Sequence, residues 1–310
     1  MRPRYWLSCL RPALALARRI RMCLPGHGRG NLRALIYHDI PPRHVSRFRE
    51  QMQYINRTYR VLDYAAFCEE LEVGSRERRP GVLVTFDDGF ASNLFVAETV
   101  LKPLGIRAVF FVVPEFVNCR TRDEQEQFIA TNMCPGLKGK AIPEHLQPMD
   151  WADLRALQSQ GHTIGAHTCT HARLSLLTTH AELESEILNA ADMIEAELGR
   201  KIEAFAYPFG NAASIISEAL SIAGHRYRCI FSGVRGNITP SVSRLAIRRE
   251  AVAPYAPSGY LGFLIEGGLS LYYVGERRQL DYMAAQTGAN DWRSSRVMSG
   301  FGNIDGENKP

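Results

Sequence analysis

Two adjacent carboxylates, Asp87 and Asp88, are the first residues whose types and spacing suggest chemistry. They lie in the sequence Thr-Phe-Asp-Asp-Gly, directly after the apolar run Val82–Phe86. Adjacent carboxylates repel each other unless a cation binds one and leaves the other free to act as a base. Asp-Asp-Gly is also good turn chemistry, so the pair taken alone fits a turn as well as an acid–base site.

Two histidines four residues apart, His167 and His171, follow the apolar segment Thr163–Ala166. We expect their imidazoles to project to the same side of a helical turn, where they could hold one metal ion. A lone histidine is more often structural. With a carboxylate from another strand, however, this pair would form a site with positions open for water and substrate. Cys169, two residues from each histidine, is expected to point elsewhere.

A third cluster spans residues 205–210, with the sequence Phe-Ala-Tyr-Pro-Phe-Gly. The segment is rich in aromatic residues and ends with Pro and Gly. Tyr207, Pro208 and Phe209 could shape a substrate pocket, and the turn could direct a backbone N–H toward it. The same pattern fits a tight strand-to-loop turn with its aromatic rings in the core. Taken alone, the cluster favours this second interpretation.

The elements that must position these clusters are short apolar runs, each bounded by charge, Gly or Pro, which predict β-strands. Helical periodicity lies between them, most clearly where a Thr179/Glu182 capping box starts a helix and Gly199 ends it. Six or seven strand–helix alternations predict an α/β fold with a parallel sheet, open or closed into a barrel. The predicted strands are Leu32–Tyr37, Tyr59–Leu62, Val82–Phe86, Ala108–Val113, Thr163–Ala166, Ala204–Tyr207, Arg228–Phe231 and Ser243–Arg248; the predicted helices are Phe48–Asn56, Ala65–Val73, Asn93–Leu104, Trp151–Gln160, Thr179–Leu198 and Ala213–Ala223.

The pattern divides the chain into three parts. Residues 1–30 form a basic N-terminal segment and residues 31–262 the predicted catalytic domain. Within that domain, the polar, Pro-containing residues 115–150 are too long for a plain connection and predict an insertion near a functional face. Periodicity fades in residues 263–310, which we interpret as a C-terminal extension that is partly disordered, with a frayed tail over 294–310.

Together the three clusters resemble the polysaccharide deacetylase family of the NodB type, whose TFDDG, HxxxH and Pro-Phe-Gly elements occur in this order over roughly residues 32–252. The resemblance implies a distorted (β/α) barrel that hydrolyses an N-acetyl amide on an aminosugar. It also implies a divalent metal, most often Zn²⁺, with Co²⁺, Ni²⁺ or Mn²⁺ as alternatives. By motif position, Asp88, His167 and His171 would be the ligands and Asp87 the general base. The backbone N–H of Phe209 would help to hold the oxyanion.

The sequence departs from the family pattern at three points. The family's third motif commonly carries an arginine that orients the catalytic aspartate, and Ala206 occupies that position here. A later Asp-and-Trp motif is not recognisable over residues 226–249. The C-terminal Leu-x-His, whose histidine protonates the leaving amine, is also missing, because the last histidine is His225. Arg244 is the candidate to replace the orienting arginine.

A reaction that expels an amine needs an acid, and His38 is the candidate to supply it. His38 ends the first predicted strand, so in a barrel it would open onto the same face as Asp87. Some exopolysaccharide deacetylases of this family are circularly permuted and use an N-terminal Tyr-His motif, and Tyr37-His38 resembles that branch. We therefore predict that His38 is the general acid and that Asp39 fixes its tautomer. The alternative is a histidine that only caps a strand end.

The formal charge of +5 is concentrated at the N-terminus, where residues 1–30 contain seven arginines and no acid. The other 280 residues hold 30 basic and 32 acidic side chains, a formal charge of −2. Wound as a helix, Leu10, Leu14, Ala17 and Leu24 would share one side, as in basic helices that lie on anionic membrane surfaces. The alternatives are a solvated arm and a start codon placed too early.

Location and partners follow from composition. Arg11, Pro12, Arg18 and Arg19 interrupt the apolar stretch that a signal peptide would need, and no apolar run approaches the roughly 20 residues of a spanning helix. Seven scattered cysteines without a Cys-x-x-Cys pair predict free thiols and favour the cytoplasm, with peripheral membrane contact through residues 1–30. Only five lysines and no readable basic patch in the folded part argue against nucleic acid as a partner.

The leading functional hypothesis is a metal-dependent hydrolase of carbon–nitrogen bonds. It would remove acetyl groups from N-acetylhexosamine units of a polysaccharide, oligosaccharide or lipid-linked sugar. One alternative keeps the fold and the metal but acts on a non-sugar amide or a formyl group. The other is a pseudoenzyme that binds glycan or membrane without turnover. The loss of arginine at position 206 slightly favours it, whereas the retention of Asp87 beside a complete ligand set argues against it.

Overall fold

The structure is a computed structural model that describes residues 5–10, 12, 32–75, 77 and 79–287. At its centre lies an eight-stranded parallel sheet in the order β7-β6-β5-β4-β3-β1-β8, with β2 paired to the first half of β3. The sheet curls into a distorted (β/α) barrel, which confirms the predicted fold class. The strands are β1 Leu32–Tyr37, β2 Arg60–Leu62, β3 Gly81–Phe86, β4 Val109–Val112, β5 Thr163–Ala166, β6 Ala204–Ala206, β7 Cys229–Phe231 and β8 Glu250–Ala251.

Helices connect the successive strands from β1 to β7, and most of them pack on the outside of the barrel. The clearest predicted helix has its capping box at Thr179 and ends at Gly199, which adopts a left-handed φ of 64°. The α-helices are α1 Val45–Thr58, α2 Tyr64–Val73, α3 Ser92–Val96, α4 Pro114–Val117, α5 Arg122–Phe128, α6 Trp151–Ser159, α7 His180–Leu198, α8 Ser217–Arg226, α9 Ser258–Ile265 and α10 Val274–Gln286. A π-helix over Ala97–Leu101 and a 3₁₀ turn over Lys102–Leu104 continue α3.

The barrel interior is an apolar cluster built from alternate strand residues. Leu83 on β3, Phe111 on β4 and Phe231 on β7 all belong to it, whereas their neighbours along each strand pack against the outer helices. Gly165 on β5 leaves room for this packing, since a Cβ there would lie 2.6 Å from the Phe111 ring. Side chains therefore alternate along each strand between the barrel interior and the outer helices.

Helix α2 closes the barrel at the amino ends of the strands. Phe67 and Cys68 of α2 are fully buried in the interior cluster. The Tyr64 hydroxyl donates to the carbonyl of Glu203, just before β6, at 3.1 Å. The Sγ of Cys68 lies 3.0 Å from that of Cys229 on β7, and all the described cysteines carry free thiols. Side chains therefore fill this end of the barrel interior.

The last strand differs from the prediction. Ser243–Arg248 is not a strand; its residue Ile247 forms a single bridge to Phe231 of β7. A turn intervenes, in which the N–H of Ala246 donates to the carbonyl of Ser243. Pairing resumes only at β8, which joins β1. The segment from Ile247 to β8 therefore links the two ends of the curled sheet.

The segment over residues 115–150 contains α5, a π-helix over Ile129–Met133 and a 3₁₀ turn over Pro135–Leu137. It packs on the barrel through a small apolar cluster of its own, which includes Phe90, Phe116 and Ile129. The end of this segment is hydrogen-bonded to the loop after β3, where the N–H of Met149 donates to the carbonyl of Gly89 at 2.8 Å. The segment therefore lies at the carboxyl end of the barrel.

The predicted domain boundary at residue 262 falls inside α9, and the chain beyond it continues to pack on the body. Leu280 and Ala284 of α10 are fully buried in the main core. Asp281 accepts two hydrogen bonds from Arg248, at 2.6 and 2.8 Å. The predicted tail over 294–310 lies outside the described residues.

Most of the basic segment over residues 1–30 also lies outside the described residues. Within it, a 3₁₀ helix over Tyr5–Leu10 packs on α9, with the rings of Tyr5 and Tyr260 5.1 Å apart. Among the described helices, none is both long enough and apolar enough to cross a membrane.

Candidate active site

Strand β3 delivers Asp87 and Asp88 to the carboxyl end of the barrel, and both are buried. The N–H of Asp87 still belongs to the sheet and donates to the carbonyl of Tyr37 at 2.9 Å. Asp88 adopts a φ of 76°, in the left-handed region that residues other than glycine rarely enter. This backbone turn ends the strand alternation and sends the two carboxylates to different partners.

Strand β5 delivers the two histidines to the same end. His167 extends the ladder, its N–H donating to the carbonyl of Val112 at 2.9 Å. The predicted helical turn between the histidines is wrong: left-handed φ angles of 61° at Thr168 and 62° at His171 shape an irregular loop instead. The imidazole centroids nevertheless lie 5.2 Å apart. Cys169 points elsewhere, as expected, and donates to the carbonyl of Ser185.

Backbone carbonyls fix the orientation of both imidazoles. Nδ1 of His167 bonds the carbonyl of Ala206 at 2.7 Å, and Nδ1 of His171 bonds the carbonyl of Asn132 at 3.0 Å. A carbonyl can only accept, so each Nδ1 carries the proton and each neutral ring presents the lone pair of Nε2. Histidine ligands of metal ions are held in this way. The inserted segment thus contributes to the site through Asn132, which sequence reasoning missed.

The lone pairs of Asp88, His167 and His171 converge on one point. Oδ1 of Asp88 lies 3.6 Å from Nε2 of His167 and 3.3 Å from Nε2 of His171, and this oxygen is buried without a hydrogen-bond partner. Donors about 2.0–2.1 Å from a tetrahedral ion stand about 3.4 Å apart. Three acceptors with no proton between them repel one another, so the donor set fits a divalent cation.

The pKa shifts of the three groups agree with this conclusion. Burial lowers the pKa of His167 to about 4. Burial opposes the charged form of Asp88 too, but its contacts with His171 and the charges of His38 and His171 hold the pKa of its carboxyl well below its usual range. Burial also opposes charge on His171, yet contact with Asp88 raises the pKa of that imidazole. The arrangement therefore favours a positive charge beside the Asp88 carboxylate.

Asp87 is bound by an arginine that the sequence analysis did not identify. Arg249, 1% exposed, donates from Nη1 to Oδ1 of Asp87 at 2.6 Å and from Nη2 to Oδ2 at 2.9 Å. It also bonds Thr85 and the carbonyl of Ser232. Burial would raise the pKa of Asp87, but Arg249, His167 and His38 together outweigh burial and lower it. Asp87 is thus held ionised in one orientation.

The prediction that Arg244 orients Asp87 is wrong. Arg244 donates to the carbonyls of Tyr227, Arg228 and Gly224, at the amino ends of the strands. Arg249 takes the role instead, because it follows Ile247, an interior residue, by two positions and so faces the same side of the segment.

His38 lies at the predicted face but without its predicted partner. It follows β1, its side chain is exposed, and its charge contributes to lowering the pKa of both Asp87 and Asp88. Asp39 does not fix its tautomer: one carboxylate oxygen accepts from Ser92 at 2.8 Å and the other lies 3.1 Å from Nε2 of His145. What positions His38 is its backbone carbonyl, which accepts from Asn93 at 2.9 Å.

Of the three residues predicted to shape a pocket in the third cluster, two are buried and one is exposed. Tyr207 is 1% exposed and packs edge-on against Phe205 in the main core, so it does not line the site as predicted. Pro208 is also buried. Phe209, at a left-handed φ of 63°, is 39% exposed, and its ring lies 4.9 Å from that of His171. Gly210 permits this turn, since a Cβ there would meet the backbone of Gly233 at 2.4 Å.

Asp88, His167 and His171 are called the trio below. A groove of about 430 Å³ borders the trio on the side of His171. We call it the Arg173 groove and define it by Thr131, Asn132, Thr170, His171, Arg173 and Phe209, which line it. The guanidinium of Arg173 lies over the Phe209 ring, 4.1 Å from its centroid. A substrate bound at the trio would extend into this groove.

Comparison with known proteins agrees with the fold. The polysaccharide deacetylase family model matches residues 74–228, half of the chain, and the chain belongs to this family. The Bacillus subtilis protein YxkH, named as a polysaccharide deacetylase, is 23% identical over 195 residues, 62% of this chain and 60% of the relative. The chain thus spans about three fifths of that relative's length.

Solved structures show the same barrel. The deacetylase PplD of Streptococcus pyogenes, in complex with acetate, superposes with a TM-score of 0.60 at 18% identity, over 75% of this chain and 97% of PplD. IcaB from Ammonifex degensii gives a TM-score of 0.58 at 20% identity, over 77% of this chain and 98% of IcaB. At these identities the likeness concerns the fold, which is that of NodB-type deacetylases.

Proposed function

We propose that this protein is a metal-dependent hydrolase that removes the N-acetyl group from N-acetylhexosamine units of a glycan. The observation that carries the proposal is the pairing of two differently held carboxylates. Asp88 faces two Nε2 lone pairs at 3.3 and 3.6 Å, whereas Asp87 is held by Arg249 at 2.6 and 2.9 Å. One carboxylate is thus arranged to bind a cation and the other to act as a base.

Asp88, His167 and His171 would hold the metal, and two imidazoles with one carboxylate are a donor set typical of catalytic zinc. Co²⁺, Ni²⁺ and Mn²⁺ are further candidates. When bound, such an ion supplies a Lewis acid that polarises the acetyl carbonyl and lowers the pKa of water.

The chain's own residues account for the proton transfers. Asp87, ionised and oriented by Arg249, takes the proton of the water that attacks the acetyl carbon. The backbone N–H of Phe209 donates to the carbonyl oxygen as negative charge develops on it. His38 donates a proton to the amine nitrogen as the C–N bond breaks. This division needs one base and one acid, and Asp87 and His38 are the residues proposed for these roles.

The presence of Arg249 also bears on the alternative of a pseudoenzyme. That alternative was favoured by the loss of arginine at position 206. Because Arg249 reaches the Asp87 carboxylate from another part of the chain, the support for a catalytic base remains in place. A non-sugar amide or a formyl group as substrate stays an alternative for the assay to decide.

The test is release of acetate from N-acetylglucosamine oligomers by protein loaded with Zn²⁺ or Co²⁺. We expect Asp87→Asn to abolish release while the bound metal, measured by mass spectrometry, stays stoichiometric. Asp192→Asn on the outer face of α7 is the matched control and should keep full activity. Acid released only from non-sugar amides or formyl compounds would point to the second hypothesis. No release from any amide, by protein with metal bound, would contradict the catalytic proposal.

A further inference from the structure

The Arg173 groove contains a cation that has no counter-ion among the described residues. Of the described residues, no aspartate or glutamate forms an ion pair with Arg173, whose guanidinium lies over the Phe209 ring. Arg226, Arg228 and Arg249, by contrast, each bind a carboxylate of this chain. Arg173 is half-buried, so its charge is partly withdrawn from water without an ion pair to any acid in the part of the chain that the structure describes.

Phe209 holds the guanidinium in place. With its centre 4.1 Å from the ring centroid, the guanidinium is close enough for a cation–π interaction. Phe209 is itself fixed by its contact with the His171 ring at 4.9 Å. Arg173 is therefore positioned, through Phe209, by the predicted metal ligand His171. Its N–H donors remain available to a molecule bound in the groove.

The other groups that line the groove are neutral hydroxyls and amides or already engaged. Asn132 donates to the carbonyl of Thr170 at 2.8 Å. Glu186, which contacts the lining residue Thr170, accepts hydrogen bonds from the N–H and the hydroxyl of Thr170, at 2.9 and 2.7 Å. Arg173 thus remains the one charged group of the described lining outside the trio. A planar guanidinium matches a carboxylate or phosphate in a bidentate manner.

We propose that Arg173, stacked on Phe209, binds an acidic group of the substrate, a carboxylate or a phosphate, next to the acetamido group that reacts. The inference rests on the proposed function for the identity of the substrate. It adds that the substrate is an anionic glycan: one that carries a uronic acid beside the N-acetylhexosamine, or an N-acetylhexosamine that carries a phosphate.

Binding measurements test the proposed role of Arg173 without turnover. They use protein that carries Asp87→Asn, and His38→Ala replaces this variant if Asp87→Asn does not fold. The neutral probes are N-acetylglucosamine and its trimer. The carboxylate probe is a tetrasaccharide of alternating N-acetylglucosamine and glucuronate, and the phosphate probe is N-acetylglucosamine 1-phosphate. We expect one anionic probe to bind at least tenfold more tightly than its neutral counterpart by calorimetry, and which of the two does so identifies the source of the charge.

Substitutions at Arg173 provide the decisive comparison. Arg173→Met should bring the anionic and neutral probes within threefold of each other, Arg173→Lys should retain part of the preference, and Arg155→Met, on the outer face of α6, should retain all of it. Equal binding of anionic and neutral probes, or a preference that survives Arg173→Met, would overturn the proposal. Charge-dependent binding without any acetate release from the unsubstituted protein would instead refute the proposed reaction and leave this binding role intact.

Discussion

The partners of two neighbouring carboxylates decide what each can do. Asp88 lies against His167 and His171, where its negative charge can balance a cation. Asp87, one residue away, is held by two hydrogen bonds from Arg249. Burial alone would raise both pKa values, and in both cases the neighbouring positive groups outweigh it. Chemically identical side chains thus have different surroundings, which support the different roles that we propose for them.

The Asp87–Arg249 pair is a buried ion pair, so losing one member should be costly. Removing one partner of such a pair costs about 3–5 kcal/mol, and we expect Arg249→Met to lower the free energy of unfolding by about that amount. The double variant Asp87→Asn/Arg249→Met, which removes both charges, should regain most of the loss in urea denaturation. A double variant no more stable than Arg249→Met would show that the two side chains are not coupled.

The proposed acid role of His38 predicts a dependence on the leaving group. His38→Ala should lower kcat for an N-acetyl amide by roughly 10²–10⁴, the usual contribution of general acid catalysis. An activated acetate ester, whose phenolate leaves without protonation, should lose far less. His225→Ala, on the exposed face of α8, is the control. A loss of less than about tenfold on the amide would exclude His38 as the acid.

At the residue level, the sequence reveals chemistry where the reactive residues directly follow apolar strands. Asp87, Asp88, His167 and His171 could be proposed in this way. Arg249 could not, because the segment before it makes a single strand bridge and a turn, so no clean alternation marks its side. Asp39 bonds Ser92 and His145 rather than His38 because tertiary contacts, which local spacing does not reveal, place those side chains closer.

At the level of secondary structure, apolar runs located seven of the eight strands within one or two residues. The exception, β8, has only two residues and pairs at the rim of the barrel, too short for any period to show. The helices of the inserted segment were not predicted either. The capping box of α5, at Thr121 and Glu124, was their available signal, but the polar helix after it lacks an apolar stripe.

His162 joins β4 and β5 and should make their pairing sensitive to acid. Its Nδ1 accepts the N–H of Ala108 at 3.0 Å, and burial lowers its pKa to about 4. Because the unfolded value is about 6.5, the folded state binds fewer protons, so this contribution to stability is complete above pH 6.5 and is lost as pH falls toward 4.

Replacing His162 by asparagine keeps an acceptor near the position of Nδ1 and removes the titration. Between pH 7 and pH 4.5, we expect the unsubstituted protein to lose about 2 kcal/mol more unfolding free energy than His162→Asn. Urea titrations at the two pH values measure the difference, and exposed His225→Asn serves as the control. Equal losses in His162→Asn and the unsubstituted protein would contradict the assigned role.

At the scale of the whole molecule, the trio joins loops after β3 and β5, so metal binding should stabilise the barrel as a unit. A ligand at 100 times its Kd stabilises a fold by about 2.7 kcal/mol, which corresponds to a rise in Tm of roughly 5–10 °C for a domain of this size. We expect Zn²⁺ to raise Tm and a chelator to reverse it, and His171→Ala to abolish the shift. An unchanged Tm in saturating Zn²⁺ would contradict the metal site.

Membrane contact through residues 1–30 stays a prediction. Each basic residue near an anionic surface contributes about 1 kcal/mol, so deletion of residues 1–30, with its seven arginines, should weaken binding to phosphatidylglycerol vesicles at least tenfold in a sedimentation assay. Arg18, Arg19 and Arg21 changed together to glutamine should reproduce much of the loss, and Arg155→Gln should not. Unchanged vesicle binding after the deletion would refute the prediction.

The left-handed residues around the site have a consequence for how this chain can evolve. In the described part of the chain, the residues other than glycine with positive φ are Asp88, Thr168, His171 and Phe209, and such conformations cost of order 1–3 kcal/mol each. Selection for thermal tolerance alone would therefore favour glycine at these positions. A lineage or a library selected that way should drift toward heat-resistant descendants that no longer turn over substrate, with the changes concentrated in these loops.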